Sequence, residues 1–303
     1  MYWLFTAARR LRELGVLGMN RRNAACILDL NPRRAFPVVD SKRKMRDLCA
    51  RIDVPTPAIY GAIAAHSALR QLPALLAGHE EFVVKPNRGA GGRGILVVIG
   101  RDGDSFLRHN GERLTFSAIR QHVSSIISGL FSLGGRPDEA LIQQRVVPDP
   151  VFARVSYQGT PDVRVILYRR FPIMAMVRLP TKESGGRANL HQGAIGAGVD
   201  LQTGITTRAV LRNCATDRHP DTGARIVGLQ VPYWPQILEM SRRVGQEVGL
   251  GYLGVDIVLD RCHGPQLLEA NARPGLAIQI ANGEGLIPRF AEVDQRFTMP
   301  DRQ

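Results

Sequence analysis

The sequence predicts an α+β chain built mainly from antiparallel strand pairs with helices set between them. Three observations carry this. Strand-like runs come as neighbours across turn-sized gaps: VRVILY and IMAMVRL across RRFP, YLGVDIVLD and PQLLEAN across RCHG. Two stretches, near Asp40–Ile52 and Trp234–Val248, repeat apolar residues at helical spacing. A glycine-rich loop, PNRGAGGRG, runs from one strand, EFVVK, into another, ILVVIG, with no helix after it. At 303 residues the chain has material for one large domain or two lobes.

Taken in order, residues Tyr2 to Leu17 predict a helix with Leu4, Leu11, Leu14 and Leu17 as its apolar stripe and Gly18 as its stop. Such a helix suits packing on the domain or on a partner subunit. LNPRRAFPVVD predicts a loop. A second helix opens at Asp40 or Ser41, either a good N-cap, and carries Met45, Leu48, Cys49 and Ile52 on one side. A third, short helix covers Ser67 to Leu76. After the glycine loop and its two strands, a helix is expected near Ser117–Leu130, and EALIQQRV as a strand. The VRVILY–IMAMVRL hairpin follows, then a long glycine-rich loop from Thr181 to about Gly204. The last long helix places Trp234, Ile237, Val244 and Val248 together ahead of the acidic strand pair.

Composition removes several classes of function. Cys26, Cys49, Cys214 and Cys262 are scattered without CxxC spacing, which argues against a zinc ribbon or disulfide framework and suits a reducing compartment. No apolar run is long enough to span a bilayer, and the first residues lack the order of a secretory signal, so a cytoplasmic location is expected. The formal charge of +13 is dispersed, and arginine dominates it. Aromatics are sparse and no nucleic-acid fold is apparent, so the charge is assigned to anionic small substrates or an acidic acceptor.

The acidic strand pair sets carboxylates where a core is otherwise expected. Strand alternation places Asp256, Val258 and Asp260 on one face, and Leu267, Glu269 and Asn271 on one face of the next strand. If the turn pairs Asp260 with Pro265, Asp256 falls opposite Glu269, with Asn271 one diagonal away. Like charges directly opposite destabilise a sheet, and a divalent cation between them removes the conflict. Two carboxylates and an amide carbonyl are oxygen ligands of the kind Mg²⁺ takes. The same pattern also suits a solvent-facing strand pair with polar residues outward.

The glycine loop is neither a Walker loop nor a Rossmann turn, because no lysine ends it and a strand follows. Glycine lets backbone N–H groups approach phosphates, and Lys85 sits at the end of the strand leading in. A mobile surface hairpin is the alternative. Lys42 and Lys44 are further candidate phosphate lysines at the start of the second helix.

The order of these features resembles the ATP-grasp superfamily of carboxylate–amine ligases, and within it the RimK-type α-L-glutamate ligase group or its glutamate ligase-related branch. The likeness runs from about Val38 to Arg289. GVDIVLD…LLEANARPG is close to the group's GVD…EVNxxPG, and ANLHQG to its NLHxGG. It implies an ATP-grasp fold: two α/β lobes with mainly antiparallel sheets and the nucleotide between them. The expected organisation is a helical arm at 1–35, an N-terminal lobe with the glycine-rich lid at 36–147, a C-terminal lobe with the metal site at 148–293, and a tail at 294–303.

The resemblance also implies roles. Asp256, Glu269 and Asn271 would bind magnesium. Lys85 would hold the α- and β-phosphates, and Lys42, with Lys44 as fallback, would be the earlier nucleotide lysine. Gly91, Gly92 and Gly94 would lie in the loop that closes on the γ-phosphate. Gln143, Gln144 and Val146 would hold the adenine, although the double glutamine departs from the glutamate or lysine common there, and Asp149 would reach the ribose. Arg178 and Asn189 match positions near the transferred phosphoryl group, Arg273 is a candidate for a substrate carboxylate, and Arg164 is the arginine of a D-x-R pattern. His191 is the tempting but weak choice of base; as a loop histidine it suits simple hydrogen bonding.

The expected activity is ATP- and Mg²⁺-dependent joining of a carboxylate to an amine through an acyl phosphate, with release of ADP. Mn²⁺ is a candidate substitute for Mg²⁺. The expected partners are a small carboxylate or amino acid and an amine on a peptide, protein or metabolite; self-association is left open. A catalytically silent ATP-binding sensor or complex subunit is the alternative.

Overall fold

The structure is a computed structural model, and it describes residues 9–89 and 91–298. Packing divides the chain into two compact units. One comprises residues 40–46 and 56–147, the other residues 1–39, 47–55 and 148–303.

The smaller unit opens on the first turn of α1 (Lys42–Arg51). Its main sheet is antiparallel, in the order β1 (Ile59–Ile63), β7 (Ala140–Gln143), β2 (Phe82–Pro86), β3 (Leu96–Val98). Phe82 and Val84 alternate inward and join Leu96, Val98, Ala140 and Ile142 in a core closed by α2 (Phe116–Ile127). Ile119, Val123 and Ile126 of α2 recur at helical spacing on the buried side. Thr115 caps this helix, its hydroxyl accepting from the Ala118 N–H at 3.2 Å. The predicted strand ILVVIG divides at Ile99. Leu96–Val98 pairs with β2, and β4 (Gly100–Asp102) starts a separate small sheet with β5 (Ser105–Leu107) and β6 (Arg113–Leu114).

The larger unit is built on a seven-stranded antiparallel sheet in the order β12-β11-β10-β9-β8-β13-β14. Its strands are β8 (Asp162–Tyr168), β9 (Phe171–Leu179), β10 (Ile195–Val199), β11 (Thr206–Leu211), β12 (Cys214–Thr216), β13 (Tyr252–Asp260) and β14 (Gly264–Asn271). One face packs on α3 (Trp234–Val248), which approaches β8 closely enough that a Cβ on Gly245 would sit 2.7 Å from Leu167. On the other face Ile166, Met174 and Met176 are covered by Leu17, Cys26, Ile27, Ile278 and Leu286.

Two expectations are corrected here. The stretch Thr181–Gly204 is not one long loop, because β10 lies inside it and at the middle of the sheet. The glycines that hid the strand are needed there. A Cβ on Gly196 would meet Leu190 at 2.6 Å, and one on Gly198 would meet the Ala281 carbonyl at 2.7 Å. The N-terminal helix also departs from its expected course. Residues 9–13 are helical, Gly15 turns with φ +65, Leu11 and Leu14 are exposed, and Leu17 is buried. Leu4 and the start of that helix lie outside the described residues. Helical turns absent from the sequence reading follow: a π-helical stretch at Arg22–Leu28, and short helices at Arg33–Ala35 and Phe36–Val39 within the predicted loop.

Candidate functional site

The register of β13 and β14 places Asp256 opposite Glu269, as the acidic pair predicts, but by a different route. Asp260 pairs with Gly264, not Pro265, so the turn is tighter by one residue. A β-bulge then restores the match: Ile257 pairs with Leu267 and Asp256 with Glu269, leaving Leu268 as the extra residue. The bulge puts Leu267 on the face opposite Glu269, which corrects the expectation that they share one. Asn271 pairs with Gly254 and remains on the Glu269 face.

Asp256 is fully buried and held by two arginines. Arg164, directly across β8, donates Nε to Oδ1 at 2.7 Å and Nη2 to Oδ2 at 2.5 Å. Arg178 of β9 donates Nη2 to the same Oδ2 at 2.6 Å. Arg178 also grips Asp162, its register partner, with Nε and Nη2 at 2.6 Å each. Burial drives both carboxyls up, but the outcomes differ. For Asp256, Arg164 and Arg178 outweigh burial and hold the group at about 2. For Asp162, burial prevails over Arg178, the Asp256 charge adds to it, and the carboxyl rises to about 6. Burial disfavours charge on Arg178, yet Asp162 and Asp256 more than offset this and raise its pKa.

Glu269 is half-buried and its carboxylate makes no hydrogen bond among the described residues. Asn271 accepts from the Arg273 N–H at 2.9 Å. The Arg273 guanidinium lies over the Phe36 ring, 5.1 Å from its centroid, a cation–π contact that the sequence did not suggest. Asn189 caps its own turn, accepting from the His191 N–H at 3.0 Å, and the His191 residue is exposed.

The donor set suits a divalent cation in kind: two carboxylates and an amide oxygen on one face, one carboxylate uncommitted. Asp256 is the weak member. Three of about four lone-pair positions on its carboxylate already accept hydrogen bonds. No group of three or more His, Cys, Asp or Glu side chains converges as a metal site among the described residues.

In the smaller unit, Lys42 donates Nζ to the Gly89 carbonyl at 3.0 Å, while Lys44 is exposed. Asn87, a residue the sequence reading passed over, organises this corner. Its buried Oδ1 accepts from the Arg43 N–H and the Ser41 hydroxyl, and its backbone bonds Lys42 and Glu139. Lys85 is buried at the end of β2, on the face opposite Phe82 and Val84. Gly91, Gly92 and Gly94 all have φ between +65 and +73, which explains the glycines. Gly94 is pinned: a Cβ there would meet the Phe131 ring at 2.5 Å, and its carbonyl lies 2.9 Å from His122 Nε2. Gln143 and Val146 are buried, and Gln144 bonds Ala58 through both its N–H and its Oε1. Asp149 belongs to the larger unit and caps the turn Pro150–Ala153 by accepting from the Val151 N–H.

A family model described as sugar-transfer associated ATP-grasp matches residues 21–295. Among solved structures, the biotin carboxylase-beta-gamma-ATP complex of Campylobacter jejuni is similar with a TM-score of 0.53 at 15% identity, over 88% of this chain and 48% of that one. The ATP-grasp ligase PsnB complexed with a minimal precursor gives a TM-score of 0.47 at 14% identity, over 88% of this chain and 63% of that one. A RimK-domain ATP-grasp protein of Sphaerobacter thermophilus gives 0.46 at 14% identity, over 87% and 70%. The chain thus spans less than two thirds of the length of PsnB. No curated protein matches the chain. Among the described residues no helix is long and apolar enough to cross a membrane.

Proposed function

The chain belongs to the sugar-transfer associated ATP-grasp family, and from that premise we propose that it is an ATP- and Mg²⁺-dependent ligase joining a carboxylate to an amine. Its α+β fold is that of the ATP-grasp superfamily. The superfamily resembled by the motifs is therefore the one found, and the family within it is the sugar-transfer associated one. The observation that carries the reading is the charged face of β9, β8, β13 and β14. There, two largely buried arginines and two buried carboxylates are preassembled beside an uncommitted Glu269.

In this reading Lys42, Lys85 and the N–H groups around Gly91, Gly92 and Gly94 hold the phosphates. Gln143, Gln144 and Val146 hold the adenine, and Asp149 the ribose. Glu269, Asn271 and Asp256 would hold Mg²⁺, which when bound neutralises charge on the phosphates. A substrate carboxylate oxygen attacks the γ-phosphorus, and ADP leaves. The amine then attacks the acyl carbon, loses a proton, and phosphate leaves with the C–N bond formed. Arg178 and Asn189 stabilise the transferring group, and Arg273 receives a substrate carboxylate after leaving the Phe36 ring. The glycine loop excludes water that would hydrolyse the acyl phosphate. Glutamate or another amino acid, added to a peptide, protein or small amine, is the substrate class proposed.

One observation favours a second reading, an ATP-binding subunit without catalysis: the arginines already neutralise Asp256, so it has no need of a metal. ADP and phosphate release from Mg²⁺–ATP, screened over amino acids and small carboxylates with and without amines, separates the two. Release requiring both partners, with a matching product mass, establishes the ligase. ATP binding with no release under any pair supports the silent subunit.

A further inference from the structure

The charged residues of β8 have no chemical role in the mechanism above. Asp162 and Arg164 stand two apart on one strand face, 3% and 7% exposed. Each grips its register partner on a neighbouring strand with two hydrogen bonds: Asp162 holds Arg178, and Arg164 holds Asp256. Resting on the ligase reading for its chemistry, we propose that Asp162 is a positioning residue that fixes the Arg178 guanidinium and aims its remaining amino group, Nη1, at an anionic phosphoryl or acyl-phosphate oxygen.

Arg164 occupies Asp256 in a fork, so Arg178 reaches Asp256 through a single hydrogen bond from Nη2. One hydrogen bond leaves the guanidinium plane free to swing about it. The parallel pair from Nε and Nη2 to Asp162 removes that freedom, because a bidentate fork fixes both plane and direction. Cross-strand opposition makes the fork reachable without strain, since directly opposed side chains start about 5 Å apart. Among the described residues Nη1 of Arg178 has no protein partner, and the side chain is only 12% exposed. A fixed donor in a water-poor site is strongest toward an anion. The two guanidinium and two carboxylate groups balance, so Asp162 also lets a second arginine stand here without surplus positive charge.

The test pairs a ligand-free readout with turnover. In ¹⁵N-edited spectra the Nε–Hε groups of Arg164 and Arg178 should both exchange slowly, with Arg178→Lys assigning the second. In Asp162→Asn the Arg178 signal should lose protection while that of Arg164 keeps it. ADP release from Mg²⁺–ATP, measured with the productive substrate pair, should fall about 10²–10³-fold in kcat while KM for ATP changes less than about threefold. Asp162→Glu, which keeps the charge, should recover part of both. An Arg178 signal equally protected in Asp162→Asn overturns the proposal. So does an unchanged kcat, or a loss in kcat matched by KM and melting temperature alike. If Asp162→Asn does not fold, Asp162→Glu decides, and wild-type kcat with an unprotected Arg178 counts against positioning. Absence of ADP release from the wild type would count against the ligase reading; the Nε–Hε result would then decide whether Asp162 fixes Arg178.

Discussion

The ammonium of Lys42 is hydrogen-bonded to the carbonyl of Gly89, 3.0 Å away, where the glycine loop leaves β2. Lys44, two residues on, is exposed. The helix start and the loop are therefore one assembly, with Asn87 of the loop accepting from the Lys42 and Arg43 N–H groups.

Lys42→Ala should weaken ATP binding about tenfold, about 1.4 kcal/mol, and Lys44→Ala should leave it unchanged. Calorimetric titration of ATP into each variant checks this. The reverse order would move the nucleotide lysine to position 44.

Asp256 and Glu269 face each other, yet they should respond differently to neutralisation. Asp256→Asn takes the charged partner from the buried Arg164 guanidinium and one of two from the part-buried Arg178, and breaking a buried pair costs about 3–5 kcal/mol. Glu269→Gln removes a half-buried carboxylate with no hydrogen bond among the described residues, so stability should change by less than about 0.5 kcal/mol. Its effect should fall on Mn²⁺ binding, weakened at least about tenfold. Urea melts and Mn²⁺ titration followed by electron paramagnetic resonance separate the two. Undiminished Mn²⁺ affinity in Glu269→Gln would remove Glu269 from the metal set.

The strands that alternate cleanly were legible in the sequence, and so was α3, whose bounds follow from Trp234, Ile237, Val244 and Val248 on one side. β10 was not, because the glycines that admit the Ile278–Asn282 helix also erase its strand signal. The opposition of Asp256 and Glu269 was legible, but the bulge at Leu268 was not, since nothing in QLLEAN marks the residue left out of the ladder. The arginine clamp on Asp256 was also out of reach. It depends on β8 lying beside β13, although the two are separated by more than eighty residues that include four other strands. Sequence patterning gives faces of strands, while neighbouring strands come from the whole topology.

Glycines of one loop should differ in cost. Gly94 has φ +73, and a Cβ there would lie 2.5 Å from the Phe131 ring, so Gly94→Ala adds a clash to left-handed strain. Gly91 has φ +65 but open space around it, so Gly91→Ala meets only the strain, about 1–2 kcal/mol. Thermal melts should therefore rank Gly94→Ala clearly below Gly91→Ala. Equal melting temperatures would mean that Phe131 yields to the methyl group.

His122 supplies the pH test. Burial lowers its pKa below the ordinary histidine value; the Gly94 hydrogen bond opposes this, and the Arg108 charge adds to the lowering. A lowered folded-state pKa means that the unfolded chain takes up the proton first as pH falls. His122 therefore favours the folded state above about pH 6.5, the unfolded value, and that contribution is lost as pH falls from there to the lowered folded value. The hydrogen bond itself survives, because Nε2 carries a proton in both the bonded neutral form and the cation. His122→Gln should thus lower stability at pH 8 through the lost contact with Gly94, yet flatten the decline below about pH 6.5. Parallel urea melts of the two proteins across that range check the difference, and an equally steep decline in the variant would assign the acid sensitivity to another group.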